Sequence, residues 1–149
     1  MADEDATQQV SAERVIDAPA EAIFDVLTDP AMHPVIDGSG TVRRVRDAEP
    51  ARLREGSRFG MDMKMGVSYR IRNVVVEYEE GRLIAWRHWG RHRWRWELEP
   101  TDGGTHVTHT FDWSTAPLPV RLYVEGLGIA EKNRRAMERT LERLEAEVA

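Results

Sequence analysis

The sequence predicts an α+β fold: an antiparallel sheet of seven strands curved around one long C-terminal helix, with two short helices after the first strand. Three observations predict it. Stretches with strand-like patterning follow one another from Thr41 to Trp113, joined by short turns. Connections that tight favour antiparallel neighbours, because a parallel crossover takes a dozen or more residues. Only one long amphipathic stretch, after Pro117 and Pro119, is available to cover the apolar face of such a sheet. The sheet must therefore wrap around that helix, and the space the two fail to fill becomes a cavity.

The elements follow in order. Residues 1–8 read as a polar, acidic, disordered lead-in, and 9–149 as a single domain. Val10, Ala12 and Ile16 fall on one face of a first strand, interrupted by Arg14. Pro19 opens a helix at its favoured first-turn position, with Asp17 as a nearby cap and Ala22, Ile23, Val26 and Leu27 as its apolar face. Asp29-Pro30 ends it, and Pro30 starts a very short second helix through Met32 and His33. Strands are then expected at Thr41–Asp47, Ser57–Met65, Val67–Tyr78, Arg82–Trp89, Arg91–Glu99 and Thr105–Trp113, separated by turn formers such as Gly66, Glu80-Gly81 and Asp102-Gly103-Gly104. Tyr123, Leu127, Ala130, Met137, Leu141, Leu144 and Val148 recur at three and four residues on one face of a single long closing helix, with Glu and Arg elsewhere.

Strand alternation sorts the side chains into two faces. The inward set collects Phe59, Met61, Met63 and Met65; Ile84, Trp86 and His88; Trp94, Trp96 and Leu98; and Val107, His109, Phe111 and Trp113. In Val67–Tyr78 the parity changes, Tyr69 and Ile71 sharing one and Val74, Val76 and Tyr78 the other, so a bulge is expected near Asn73. Thioethers and indoles with a few polar groups are how small-molecule sites are generally lined. Met61, Met63, Tyr69, Trp86, His88, Trp94, Trp96, His109, Trp113 and Tyr123 are thus the candidate ligand-binding residues; any single Trp or Met of this kind is more often core, and it is the set on a sheet with one covering helix that points to a cavity. His88 and His109 are the candidate acid/base groups, although a lone inward histidine is more often a hydrogen-bonded core residue.

Composition narrows the rest. The 149 residues carry 21 Lys+Arg against 26 Asp+Glu, a formal charge of −5, which argues against non-specific nucleic-acid binding. Arg93 and Arg95 alternate with Trp94 and Trp96, so arginines and indoles lie on opposite faces and form no stacking platform; the outer face is expected to be solvated. With no cysteine and no HExxH, with His106 turned away from His109, and with His88 and His92 diverging across Gly90, no metal site is expected, and no cofactor either. GxSxG, P-loop and GxGxxG motifs are absent. No apolar run is long enough to span a bilayer and the start carries no secretory signal, so stable membrane insertion is not expected and the cytoplasm is the expected location.

Residues 15–30, VIDAPAEAIFDVLTDP, together with RLIAW at 82–86, WRWELEP at 94–100, GGTHVT at 103–108, FDWS at 111–114 and NRRAM at 133–137, resemble the START/Bet v 1-like superfamily in its bacterial polyketide cyclase/dehydrase and lipid transport branch. The resemblance implies the helix-grip fold, a seven-stranded antiparallel sheet around a long C-terminal helix enclosing a hydrophobic cavity. It implies no universal catalytic motif; His88, His109, Tyr69 and Tyr123 are the polar groups within reach. Three functions follow as expectations: binding of a small hydrophobic ligand, lipid-, polyketide- or isoprenoid-like; a cyclase or dehydratase using a cavity histidine; and a protein-interaction module with an incidental cavity. Replacing Trp96 by Ala is expected to weaken ligand binding while leaving the fold intact. A monomer and a homodimer are both compatible with the sequence.

Overall fold

The structure, a computed structural model, describes residues 8–40, 42–49, 52–87 and 91–148, with the backbone alone for 43–49 and 65. His88, Trp89, the Gly90 turn and all but the last residue of the expected lead-in lie outside the described residues. Seven strands form one antiparallel sheet in the order β1-β7-β6-β5-β4-β3-β2. They are β1 (Gln9–Ile16), β2 (Val42–Glu49), β3 (Arg58–Met65), β4 (Val67–Glu79), β5 (Leu83–Arg87), β6 (Arg93–Thr101) and β7 (Gly104–Asp112). Between β1 and β2 come α1 (Ala20–Leu27), a 3-10 turn (Pro30–Met32) and α2 (His33–Ile36); after β7 come α3 (Leu118–Gly126) and α4 (Ile129–Val148).

Three local expectations are corrected. The closing helix is two helices, because Gly128 adopts φ 65, a left-handed conformation that interrupts the hydrogen-bond ladder between α3 and α4. Pro19 is the N-cap residue of α1 rather than part of its first turn, and among the described residues no side chain, Asp17 included, caps that end. The bulge in β4 falls between Val75 and Glu77, not near Asn73. Tyr69, Ile71, Asn73 and Val75 therefore keep one inward parity and Tyr78 resumes it, which turns Val75 rather than Val74 or Val76 into the core. The second short helix starts as expected: Asp29 accepts from the Ala31 amide at 3.1 Å, and Pro30 opens the turn.

Register defines two ends of the sheet. At one, Ile16 pairs with Thr105 and Leu98 with Val107, all buried. At the other, Gln9, Asp112, Arg93, Arg87 and Val74 form a row across five strands. Beyond that row residues 67–73 of β4 pair only with β3 among the described residues, an overhang of roughly 23 Å at ~3.3 Å per residue. α4 packs on β1 and β7 and touches α1, α2 and α3. Arg14, the residue that breaks the apolar alternation of β1, reaches from the concave face to Glu145 of α4 at 2.8 Å. The loop after α2 is fastened to α4 by the Gly38 amide donating to Thr140 Oγ1 at 2.8 Å and by Arg139 Nε donating to the Gly38 carbonyl at 2.9 Å.

Candidate functional site

The concave face is built from directly paired residues. Trp86 of β5 lies opposite Trp94 of β6, which lies opposite Phe111 of β7; one step along, Ile84, Trp96 and His109 form the next row. Period-two alternation on three adjacent strands thus brings the indoles of Trp86, Trp94 and Trp96 and the imidazole of His109 to one surface. Trp96 and His109 stack with centroids 3.7 Å apart and 14° between planes, and Trp94 lies over the other neighbours, 5.8 Å from His109 and 4.7 Å from Phe111. Trp113 continues the row, and its Nε1–H donates to Glu125 at 3.1 Å, tying α3 to the end of the sheet.

Burial separates these residues. Trp96 is 2% exposed and His109 5%, inside the packed core, while Trp94, Met63 and Ile71 are half-buried. Met61, Trp86 and Trp113 are buried. Tyr69 stands opposite Met63 on the overhanging β3–β4 hairpin and is exposed, as is Tyr123, 61% exposed on α3. With Trp96 this buried, its truncation to Ala would empty a large volume of core, so the expectation of an intact fold is revised: that variant tests stability first.

His109 Nδ1–H donates to the Arg95 carbonyl at 3.1 Å, a bond that fixes the tautomer and leaves the lone pair on Nε2. Burial, only partly offset by that carbonyl, pushes its pKa down to about 3. Near neutral pH the ring is a fixed, neutral hydrogen-bonding group: its one proton is held by the Arg95 carbonyl, and it lacks the second, acidic proton of an imidazolium. A second buried histidine escaped the sequence reading. His33 stacks on Trp86 at 4.8 Å and meets the edge of Phe59 at 5.4 Å, and burial lowers its pKa as well, against a smaller upward pull from the Leu27 carbonyl. Its signal was an apolar setting, Met32-His33-Pro34-Val35-Ile36, in which a solvent-facing histidine would be out of place. Asn73, 1% exposed and facing inward, was also missed, since the misplaced bulge obscured its parity.

The outer face differs from the solvated surface expected of it. Arg93 and Arg95 both bond Glu77, at 2.7 and 3.0 Å, and Arg95 also reaches Asp112 at 3.2 Å. Glu77, Ala85 and Arg95 are paired across β4, β5 and β6, and the small side chain of Ala85 lets the carboxylate and guanidinium meet above it. Burial pushes the Glu77 carboxyl up, but the Arg95 and Arg93 bonds outweigh it and hold the group below its ordinary range. These arginines are occupied by the sheet's own carboxylates.

At the α3–α4 joint, Gly128, Glu131, Lys132, Arg135 and Arg139 line an open, polar pocket of about 400 Å³, and none of the aromatic or methionine residues named above borders it. The incompletely covered apolar side chains lie elsewhere: Met63, Tyr69 and Ile71 of the overhang and Trp94 on the sheet are partly exposed, and α3 at the same end of the sheet exposes Leu118, Leu122 and Tyr123. Among the described residues no helix is long and apolar enough to cross a membrane.

A sheet gripping a C-terminal helix over an aromatic concave face defines the helix-grip fold. Residues 7–149 match the family described as polyketide cyclase/dehydrase and lipid transport, and the chain belongs to that family. It is 38% identical over 146 residues to the uncharacterized Mycobacterium tuberculosis protein Rv0088, an alignment covering 95% of this chain and 64% of that protein. The chain thus spans less than two thirds of the length of the curated relatives it matches. A crystal structure from Nitrosomonas europaea superimposes with a TM-score of 0.68 at 20% identity, covering 95% of this chain and 94% of the other. A polyketide-cyclase-like protein from Corynebacterium glutamicum does so at 0.57 and 18% identity, covering 93% and 89%. At such identities the likeness is one of fold.

Proposed function

We propose that residues 9–149 form a single domain that binds a small hydrophobic ligand, lipid-, polyketide- or isoprenoid-like, between the concave face and the α3–α4 segment. One observation carries this reading. α4 packs on β1 and β7, whereas apolar side chains on the β3–β4 side of the same face, Met63 and Ile71, stay partly open. An apolar surface left incompletely covered inside a curved sheet favours an apolar guest. Trp94 supplies the flat contact, and Met63 adapts to its shape. Nucleic acid fits poorly, because Trp94 and Trp96 face inward while Arg93 and Arg95 are paired with Glu77 on the opposite face. A cyclase or dehydratase drawing a proton from His109 is disfavoured by the depressed pKa of that ring.

Native mass spectrometry of the purified protein, followed by denaturing extraction, tests the reading. A stoichiometric extra mass that extracts into organic solvent is expected. A protein that arrives free of ligand, and whose indole fluorescence then fails to respond to a panel of lipids and aromatic polyketides, would contradict it.

A further inference from the structure

His33 and Asn73 come from separate elements and both neighbour Phe59. The Nε2–H of His33 donates to the Leu27 carbonyl at 2.9 Å, which leaves the lone pair of the neutral ring on Nδ1. The ring lies against Trp86 and the edge of Phe59, and Phe59 and Trp86 are themselves 5.6 Å apart at 82°. Asn73 is directly opposite Phe59 in the β3–β4 register. Paired residues of this kind keep their Cβ atoms within ~5.5 Å. His33 is 4% exposed and Asn73 1%, yet neither His33 Nδ1 nor Asn73 Nδ2 has a partner among the described residues. Buried polar atoms are nearly always paired, so an acceptor and a donor left open beside Phe59 need an explanation.

The two open valences are complementary to a group that both donates and accepts, and a hydroxyl does so at a single atom. A hydroxyl accepts one hydrogen bond and donates another. A carboxylate offers only acceptors and would set its charge against the Nδ1 lone pair; an ammonium offers only donors and leaves the Asn73 N–H unmet. Burial keeps His33 neutral near neutral pH, which preserves the acceptor. We propose that His33 and Asn73 form the polar end of the binding cavity and receive a neutral hydroxyl of an otherwise apolar ligand, an alcohol, phenol or enol that accepts from Asn73 Nδ2 and donates to His33 Nδ1. This rests on the reading of the cavity as an apolar ligand site and adds the functional group that the ligand carries.

The test is a matched series of probes, naphthalene, 2-naphthol and 2-naphthoate, titrated against the wild-type protein by isothermal calorimetry at pH 7.5. 2-Naphthol is expected to bind about tenfold more tightly than naphthalene, and 2-naphthoate more weakly than either. The double variant His33→Phe, Asn73→Leu should bind naphthol and naphthalene alike. The His33 Nδ1 nitrogen resonance gives a second readout that needs no variant, and it should move in the direction of hydrogen-bond acceptance on adding naphthol and stay put with naphthalene. Equal affinities for naphthol and naphthalene, or an unmoved Nδ1 resonance at saturation, would overturn the hydroxyl assignment while leaving the apolar site standing. Failure of all three probes to bind would overturn the apolar site itself.

Discussion

The two ends of the sheet solve opposite problems with the same pattern of alternation. At the end where β7 begins, Ile16, Leu98 and Val107 close against Ile23 and Leu27 of α1 and Leu141 and Leu144 of α4, all essentially without solvent contact. The chain is so close there that a Cβ on Gly104, which sits at φ 141, would lie 2.1 Å from the Ile16 carbonyl. Thr105 adds a hydrogen bond to the Ala18 carbonyl at 2.8 Å. At the end where β7 finishes, the overhanging hairpin and α3 leave Tyr69, Leu122 and Tyr123 exposed and Met63, Ile71 and Trp94 half-covered. The difference teaches that one end holds the fold together, while the other leaves apolar side chains uncovered where the proposed ligand would bind.

That contrast breaks most visibly under truncation. Trp96→Ala and Leu141→Ala at the packed end should each cost about 3–5 kcal/mol in urea denaturation, by loss of burial and creation of a cavity. Trp94→Ala should cost clearly less stability but weaken naphthalene binding at least fivefold, read by calorimetry. A Trp94 variant as unstable as the Trp96 variant would put both indoles in one core and erase the distinction.

Acid sharpens the comparison next. His109 has a folded pKa near 3 against about 6.5 when unfolded, so the unfolded state binds the extra proton as pH falls. Its contribution is complete above pH 6.5 and declines progressively between 6.5 and 3. By pH 5 the loss for such a histidine is on the order of 2 kcal/mol. The urea midpoint of wild type should fall across that window, and His109→Gln, which keeps a donor for the Arg95 carbonyl, should fall less steeply. Parallel curves would mean that His109 titrates near its ordinary value in the folded protein.

Smaller effects belong to the open end. Gly128→Ala forces a left-handed conformation on a residue with a Cβ and should cost about 1–2 kcal/mol by thermal denaturation. Among the described residues no neighbour within 4 Å adds to that penalty. Leu122→Ala should change stability by no more than about 0.5 kcal/mol. A loss of several kcal/mol at Leu122 would show that the outer side of α3 is covered in solution.

Much of the fold could be read from the sequence because strand alternation is strict where one face is buried. Phe59-Gly60-Met61-Asp62-Met63 and Trp94-Arg95-Trp96-Glu97-Leu98 announce their inner faces without help from the rest of the chain. The bulge in β4 was misplaced because Val74, Val75 and Val76 are chemically alike, so only pairing with β5 decides which of them turns inward. The helix break at Gly128 was masked by an apolar repeat that runs on through Leu127 and Ala130. Degree of burial was harder still. Trp94 and Trp96 share one parity, and what divides them is where α3, α4 and the hairpin stop. The same limit hid His33, whose place over Trp86 depends on how a short turn folds back across three strands, and it hid the neutralised outer face, where Glu77 and Arg95 are far apart in the chain and meet above Ala85.

The most direct test of a ligand site confined to the open end is methyl and indole chemical-shift mapping during a naphthalene titration. The Met63 and Ile71 methyls and the Trp94 indole should shift saturably, while Ile23, Leu141 and Leu144 stay in place. Unmoved Met63, Ile71 and Trp94 signals at saturation, or equal shifts at Leu141 and Leu144, would contradict the division of the molecule into a packed end and a receiving one.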